Sequence, residues 1–218
     1  MLPANAALLR CPHCGALKEI FQLASGNTFG ATLWSYTKQI APMLPRVSYI
    51  QRCPSCGRYF FYSQNVKAGS SNSYGGGSGE LPLEYLKEAL IQLQPTGNDE
   101  QSLRFYILWA FNDRYGHKEV SEIPAEEWEF HMDNIQHLLQ MNIDTLVRAE
   151  LYREMGDFEQ AIQILNSLEV ADNMKSIHSQ LLQQAQQHNR KVFVIYGEIQ
   201  RNALTLDKYR EETYTPSK

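Results

Sequence analysis

The 218-residue chain is 43% apolar and 20% charged, the mix of a folded protein, and this excludes a wholly disordered chain. Its longest apolar run, 105–111, falls far short of the roughly 20 residues that span a bilayer. The start MLPANAALLR lacks the basic flank and apolar stretch of a secretion signal, so a soluble, cytoplasmic protein is expected. The net charge of −4 conceals an asymmetry. Residues 1–67 carry an excess of +6, with Glu19 the only acid, and residues 68–218 an excess of −10. Two modules of opposite charge are implied.

In chain order, the first feature is Cys11-Pro12-His13-Cys14-Gly15, and the same C-P-x-C-G phrase returns at Cys53-Pro54-Ser55-Cys56-Gly57. Thiols two residues apart can face one ion from a tight turn. Pro after the first Cys fixes φ for that turn, and Gly after the second permits positive φ. Two such turns supply four thiolates, a closed tetrahedral site for Zn²⁺ at Cys11, Cys14, Cys53 and Cys56. Disulfides are the competing reading, disfavoured in a reducing compartment. Arg10, Arg52 and Arg58 flank the knuckles, where positive charge offsets the thiolates. His13 reads as an exposed turn residue, since four cysteines already suffice.

Between the knuckles, 18–24 and 28–36 suit strands joined by Ser25-Gly26-Asn27, with Trp34 packing the small core. Pro42 and Pro45 bracket another turn. Residues 47–51 and 58–63 again suit strands, being aromatic and β-branched. The segment 25–32 is small, polar and Gly-spaced, so it reads either as a ligand-facing loop or, in preference, as a tight hairpin. Residues 8–64 resemble four-cysteine zinc ribbons, and the C-P-x-C-G phrases are similar to rubredoxin knuckles. The resemblance implies a structural metal, with zinc favoured over iron because the surroundings are basic.

Residues 69–79 hold five of the 13 glycines and four serines, the composition of a flexible linker. No phosphate-loop pattern G-x-x-x-x-G-K-[ST] is present there. Beyond it the apolar period becomes helical. Leu83, Leu86, Leu90 and Leu93 mark a helix that Pro82 opens and Pro95 and Gly97 stop. A second helix is expected over about 99–115, on Leu103, Tyr106, Ile107, Ala110 and Phe111. A third runs from Pro124 to about Gln140, with Glu126 and Glu127 in its first turn, where acids suit the helix dipole.

Asp144 reads as the N-cap of a fourth helix. In 145–168, Ala149, Tyr152, Gly156, Asp157, Phe158, Ala161, Ile162 and Leu165 fall at the spacing of the tetratricopeptide repeat, which this stretch resembles. The resemblance implies a helical hairpin, with Ala149 and Ala161 at the close approach and Gly156 at the turn. Arg148 and Leu168 depart from the motif, and no Pro closes it. One repeat cannot bury its own face, so neighbouring helices must complete the stack. A Gln-rich helix from Met174 to about Arg190 suits a cap. Residues 191–196 (KVFVIY) fit either a strand or a continuing helix.

The sequence therefore predicts an α+β protein. A small antiparallel β zinc-ribbon module (1–67) comes first, then a linker (68–80), a mainly α, repeat-like module (81–206) and a charged tail (207–218). The arrangement resembles uncharacterised bacterial zinc-ribbon proteins, a likeness that carries no activity. No H-E-x-x-H, G-x-S-x-G or dinucleotide pattern is present. His117, His131, His137, His178 and His188 are scattered, and the acids at 99–100 and 126–127 suit solvated first turns. The expected function is a non-catalytic, zinc-binding adaptor whose helical module meets a protein partner. The alternative is nucleic-acid binding by the basic ribbon, with Arg10, Arg46, Arg52, Arg58 and Tyr59 as candidate contacts. An enzyme or electron carrier is a third reading, which iron at the cysteines would favour.

Overall fold

The computed structural model describes residues 1–63, 66–74 and 80–197, and the expected tail lies outside them. Among the described residues, small antiparallel sheets are followed by six α-helices, an α+β fold. Strand β1 (Leu2–Arg10) pairs antiparallel with β2 (Leu17–Ser25). Its register shifts between Ala4 and Ala7, the mark of a bulge, and both Ala6 and Ala7 are fully buried. Strand β3 (Thr32–Trp34) pairs with β4 (Gln39–Ile40), and β5 (Ile50–Arg52) with β6 (Tyr59–Phe61). Strand β7 (Lys67–Ser70) closes the other edge of β1.

Three sequence expectations change here. The pairing of 18–24 with 28–36 does not form: β2 pairs with β1, residues 28–31 turn, and only 32–34 are extended, pairing with strands at 39–40 and 194–196. The start of the expected linker is a strand: β7 pairs with Ala7–Leu9, and the backbone of Ser71 and Ser73 bonds Ala6. Trp34 packs with Tyr36, Val192 and Trp109 rather than within the cysteine module.

The helices are α1 (Leu83–Leu93), α2 (Gly97–Tyr115), α3 (Ala125–Leu139), α4 (Thr145–Met155), α5 (Phe158–Ser167) and α6 (Lys175–Gln186). Pro82 is the N-cap of α1, and the Asp144 carboxylate caps α4 by accepting from Leu146 N and Val147 N. The α4–α5 pair forms the expected hairpin, with Ala149 and Ala161 buried and Gly156 in the left-handed region at φ 88°. The last helix ends at Gln186, short of the expected Arg190.

The ambiguous stretch resolves into strand β8 (Val194–Tyr196), which adds to the edge of β3. The approach to β8 lies across α4 and α6. Phe193 packs on the cluster of Leu146, Ala149, Leu165 and Leu181. Arg153, 1% exposed, forms a bidentate pair with Glu150 at 2.5 and 2.6 Å and donates to the carbonyls of Asn189 and Lys191. Strand and helices also share one core, in which Ile50 and Tyr59 sit with Leu83, Leu86, Leu103, Ile107 and Phe111. Among the described residues no helix is long and apolar enough to cross a membrane.

Candidate metal centre

Each knuckle is the tip of a β-hairpin, β1–β2 for the first and β5–β6 for the second. Arg10 faces Leu17 across one tip, and Arg52 faces Tyr59 across the other, the same spacing twice. The backbone repeats as well. Cys11 N donates to Ala16 O and Gly15 N to Cys11 O, while Cys53 N donates to Arg58 O and Gly57 N to Cys53 O. Gly15 and Gly57 hold φ of 76° and 73°, the left-handed conformation that the knuckle needs after its second cysteine.

This matched geometry brings all four sulfurs within 4.8 Å of one another. Cys11 Sγ lies 3.8 Å from Cys56 Sγ, and Cys14 Sγ lies 3.6 Å from Cys53 Sγ. Four thiolates at about 2.3 Å from a central zinc would be about 3.8 Å apart, so the set fits a tetrahedral ion. All four are free thiols, with Cys11 and Cys53 buried and Cys14 and Cys56 exposed. Turn N–H groups point at the sulfurs, from His13 to Cys11 at 3.4 Å and from Cys56 to Cys53 at 3.5 Å.

The sulfurs compete for protons. Burial pushes the Cys53 thiol up, but the N–H groups of Cys56 and Ser55 and the neighbouring thiols outweigh it, bringing Cys53 down to about 6. At Cys14 the backbone N–H of Ala16 pulls downward, yet burial and the other three sulfurs prevail and push the thiol up to about 12. A cation among the four removes that conflict, and its binding releases protons.

Two neighbours were not singled out as contributors to this region from the sequence. Lys18, on β2, donates to Gln51 Oε1 at 2.8 Å and to Arg52 O at 3.3 Å. Burial lowers its ammonium, and the charge of Cys53 opposes that shift. His13 stays outside the sulfur cluster, and its Nε2 lies 3.1 Å from Tyr59 O, joining the two knuckles. The charge-near-thiolate argument used for the flanking arginines could have found Lys18; nothing local marks the His13 contact.

The candidate nucleic-acid residues differ in how far they are engaged elsewhere. Arg10 and Arg58 are exposed. Arg46 stacks on Trp109 of α2 at 4.2 Å, and Arg52 lies 4.8 Å from the Tyr85 ring of α1. Tyr59 is 2% exposed and donates its hydroxyl to Glu88 at 2.6 Å, so its ring is not a free stacking platform. The basic and aromatic residues of the β module are thus partly spent on holding the helices.

No protein-family model, curated protein or solved structure matches this chain. What fold and site define is a four-cysteine cluster that fits a zinc-ribbon-like metal site, carried on an α+β chain with a helical C-terminal part.

Proposed function

We propose that the chain is a zinc-binding, non-catalytic interaction protein, in which the metal fixes the knuckles and the helical module meets a protein partner. The cluster of four sulfurs within 4.8 Å carries the metal half of this reading. Four thiolates fill a tetrahedral zinc ion and leave no position for water or substrate, which favours a structural role. The surrounding Arg10, Lys18, Arg52 and Arg58 offset the negative charge of a tetrathiolate site.

The partner half rests on the tetratricopeptide-like α4–α5 hairpin and on one aromatic groove. The inner surface near α4 and α6 is covered by the chain's own residues 189–196. Among the described residues, a 390 Å³ groove is bordered by Tyr49, Phe105, Tyr106, Trp109 and Val147. Aromatic rings of this kind are the usual anchors of protein contacts.

Metal analysis of the purified chain tests the first half: one zinc per chain and a colourless solution are expected, and a red, iron-loaded protein would overturn it. Capture from lysate with nuclease present tests the second, using Trp109→Ala beside Arg10→Glu/Arg58→Glu. A nuclease-resistant protein partner lost only in Trp109→Ala supports the adaptor. Recovery that vanishes with nuclease and in the double arginine variant would instead make the chain a nucleic-acid binder.

A further inference from the structure

One end of the β module is free of charge. Residues 1–9, 20–37 and 39–45 hold no charged side chain, in a chain that is 20% charged. The fold draws three stretches of this sequence together. Leu2, Pro3 and Ala4 pair with Ser25, Leu23 and Gln22, where β1 begins and β2 ends. Gly26, the next residue, is packed against the turn at 42–45: a β-carbon added to it would meet Met43 O and Leu44 Cδ1. Phe29 follows within the same small, polar segment, where its N–H donates to Asn27 Oδ1 at 3.0 Å.

These stretches point outward. Every residue of 1–5, 21–30 and 42–45 is exposed or half-exposed. Phe29 is 81% exposed and Leu2 59%, and Met1, Met43 and Leu44 are open as well. Single exposed apolar side chains are ordinary, but several on one uncharged surface mark a contact site. The backbone adds to this. Strand β2 is the outer strand of its sheet, and from Ile20 to Ser25 it lacks the charges that keep edge strands from pairing.

The absence of charge selects the occupant. A nucleic acid or an anionic bilayer is drawn by cations, and a charged protein by the opposite sign. Interfaces between copies of one chain are the more apolar kind, with charge depleted from their centre. A two-fold axis sets such a surface against itself, and a surface without charge meets its copy without repulsion. Size agrees: the three stretches hold 19 residues, close to the roughly 20–30 that a stable interface takes from each side. The outer backbone groups of an edge strand also find an antiparallel partner in its own copy.

We propose that the chain forms a two-fold dimer through this end of the β module, with Phe29, Leu2 and the Met43–Leu44 turn at its centre. The surface lies at the far end of β1 and β2 from the first knuckle and depends on neither the adaptor reading nor the aromatic groove.

Sedimentation velocity of the full, zinc-loaded chain over about 1–100 μM tests it, the range of a modest interface. A concentration-dependent species of twice the 25.1 kDa chain mass is expected. Added salt should not dissociate it, because no ion pair is buried there. Phe29→Asp, at a side chain too exposed to disturb the fold, should weaken dimerisation about a hundredfold, tenfold for each of the two carboxylates a dimer would bury. Leu2→Asp should act in the same direction. Ile91→Asp, 76% exposed on α1, is the control and should leave the dimer unchanged. A chain still monomeric at about 100 μM would overturn the proposal, and binding of that monomer to neutral phosphatidylcholine vesicles would assign the surface to lipid instead. A dimer that salt dissociates, or one that Phe29→Asp and Leu2→Asp both leave intact, would overturn it equally.

Discussion

Arg190 lies directly over Gly156: a β-carbon added to Gly156 would sit 3.0 Å from the guanidinium carbon. The same guanidinium donates to the carbonyls of Glu154 and Met155, the free acceptors at the end of α4. The turn glycine of the helical hairpin is thus also the seat of a C-terminal cap supplied from 34 positions further along. Gly156→Ala should destabilise the chain by about 1–2 kcal/mol, from the positive φ and the displaced arginine together. Urea unfolding of the variant measures this, and Gly156→Asn, which tolerates positive φ better, separates the backbone part from the contact with Arg190.

Cys53→Ser removes one of two buried sulfurs in the cluster. Metal content should fall from one ion per chain to nearly none, since three thiolates and a hydroxyl are a poor zinc set. Ile50 and Tyr59, on the strands that carry the second knuckle, belong to the core of α1 and α2. Loss of metal should therefore lower the thermal midpoint of the helical signal as well as loosen the β-hairpin. Paired metal analysis and circular dichroism would show both; full metal content in the variant would refute the ligand assignment.

The Glu150–Arg153 pair is 1% exposed on both sides, and Arg153 also holds the backbone ahead of β8. Arg153→Met leaves a buried carboxylate without its partner, a loss of about 3–5 kcal/mol. Hydrogen exchange should quicken at β8 before the rest of the molecule, because β8 is held by β3 and by this arginine. Uniform exchange across the chain would show that the pair supports the core without tethering the strand.

The depressed His131 has a pH signature. Burial, the largest cause, lowers its folded pKa, with Glu154 opposing and Arg190 assisting. The unfolded chain then binds more protons than the folded one once pH falls below about 6.5. Its contribution to stability is complete above that value and is lost as pH drops toward the folded pKa, by up to about 1.4 kcal/mol per pH unit. His117, also lowered by burial, acts in the same direction. An NMR titration should show the His131 ring still neutral where free imidazole is half protonated.

Local spacing determined much of this protein. The two C-P-x-C-G phrases placed four sulfurs on paired turns because a knuckle is built from five consecutive residues, and its backbone hydrogen bonds reach no further than the next residue. The helices were legible for the same reason: Leu83, Leu86 and Leu90 mark one face at a period set by the backbone, and Asp144 caps α4 through neighbours two and three residues away. Long-range packing decided the rest. Residues 191–196 became a strand because the edge of β3 accepts them, and Lys67–Ser70 became one because β1 had a free edge. Arg46, Arg52 and Tyr59 read as a surface for phosphates and bases, yet the helices lie against them, since exposed rings and guanidiniums gain more from Trp109, Tyr85 and Glu88 than from water. His131 and Glu154 sit on different helices, 23 positions apart, and no pattern in either marks the contact they share. Only the packing of α2, α3 and α4 brings them together, because a buried polar pair is created by what surrounds it and not by its own sequence.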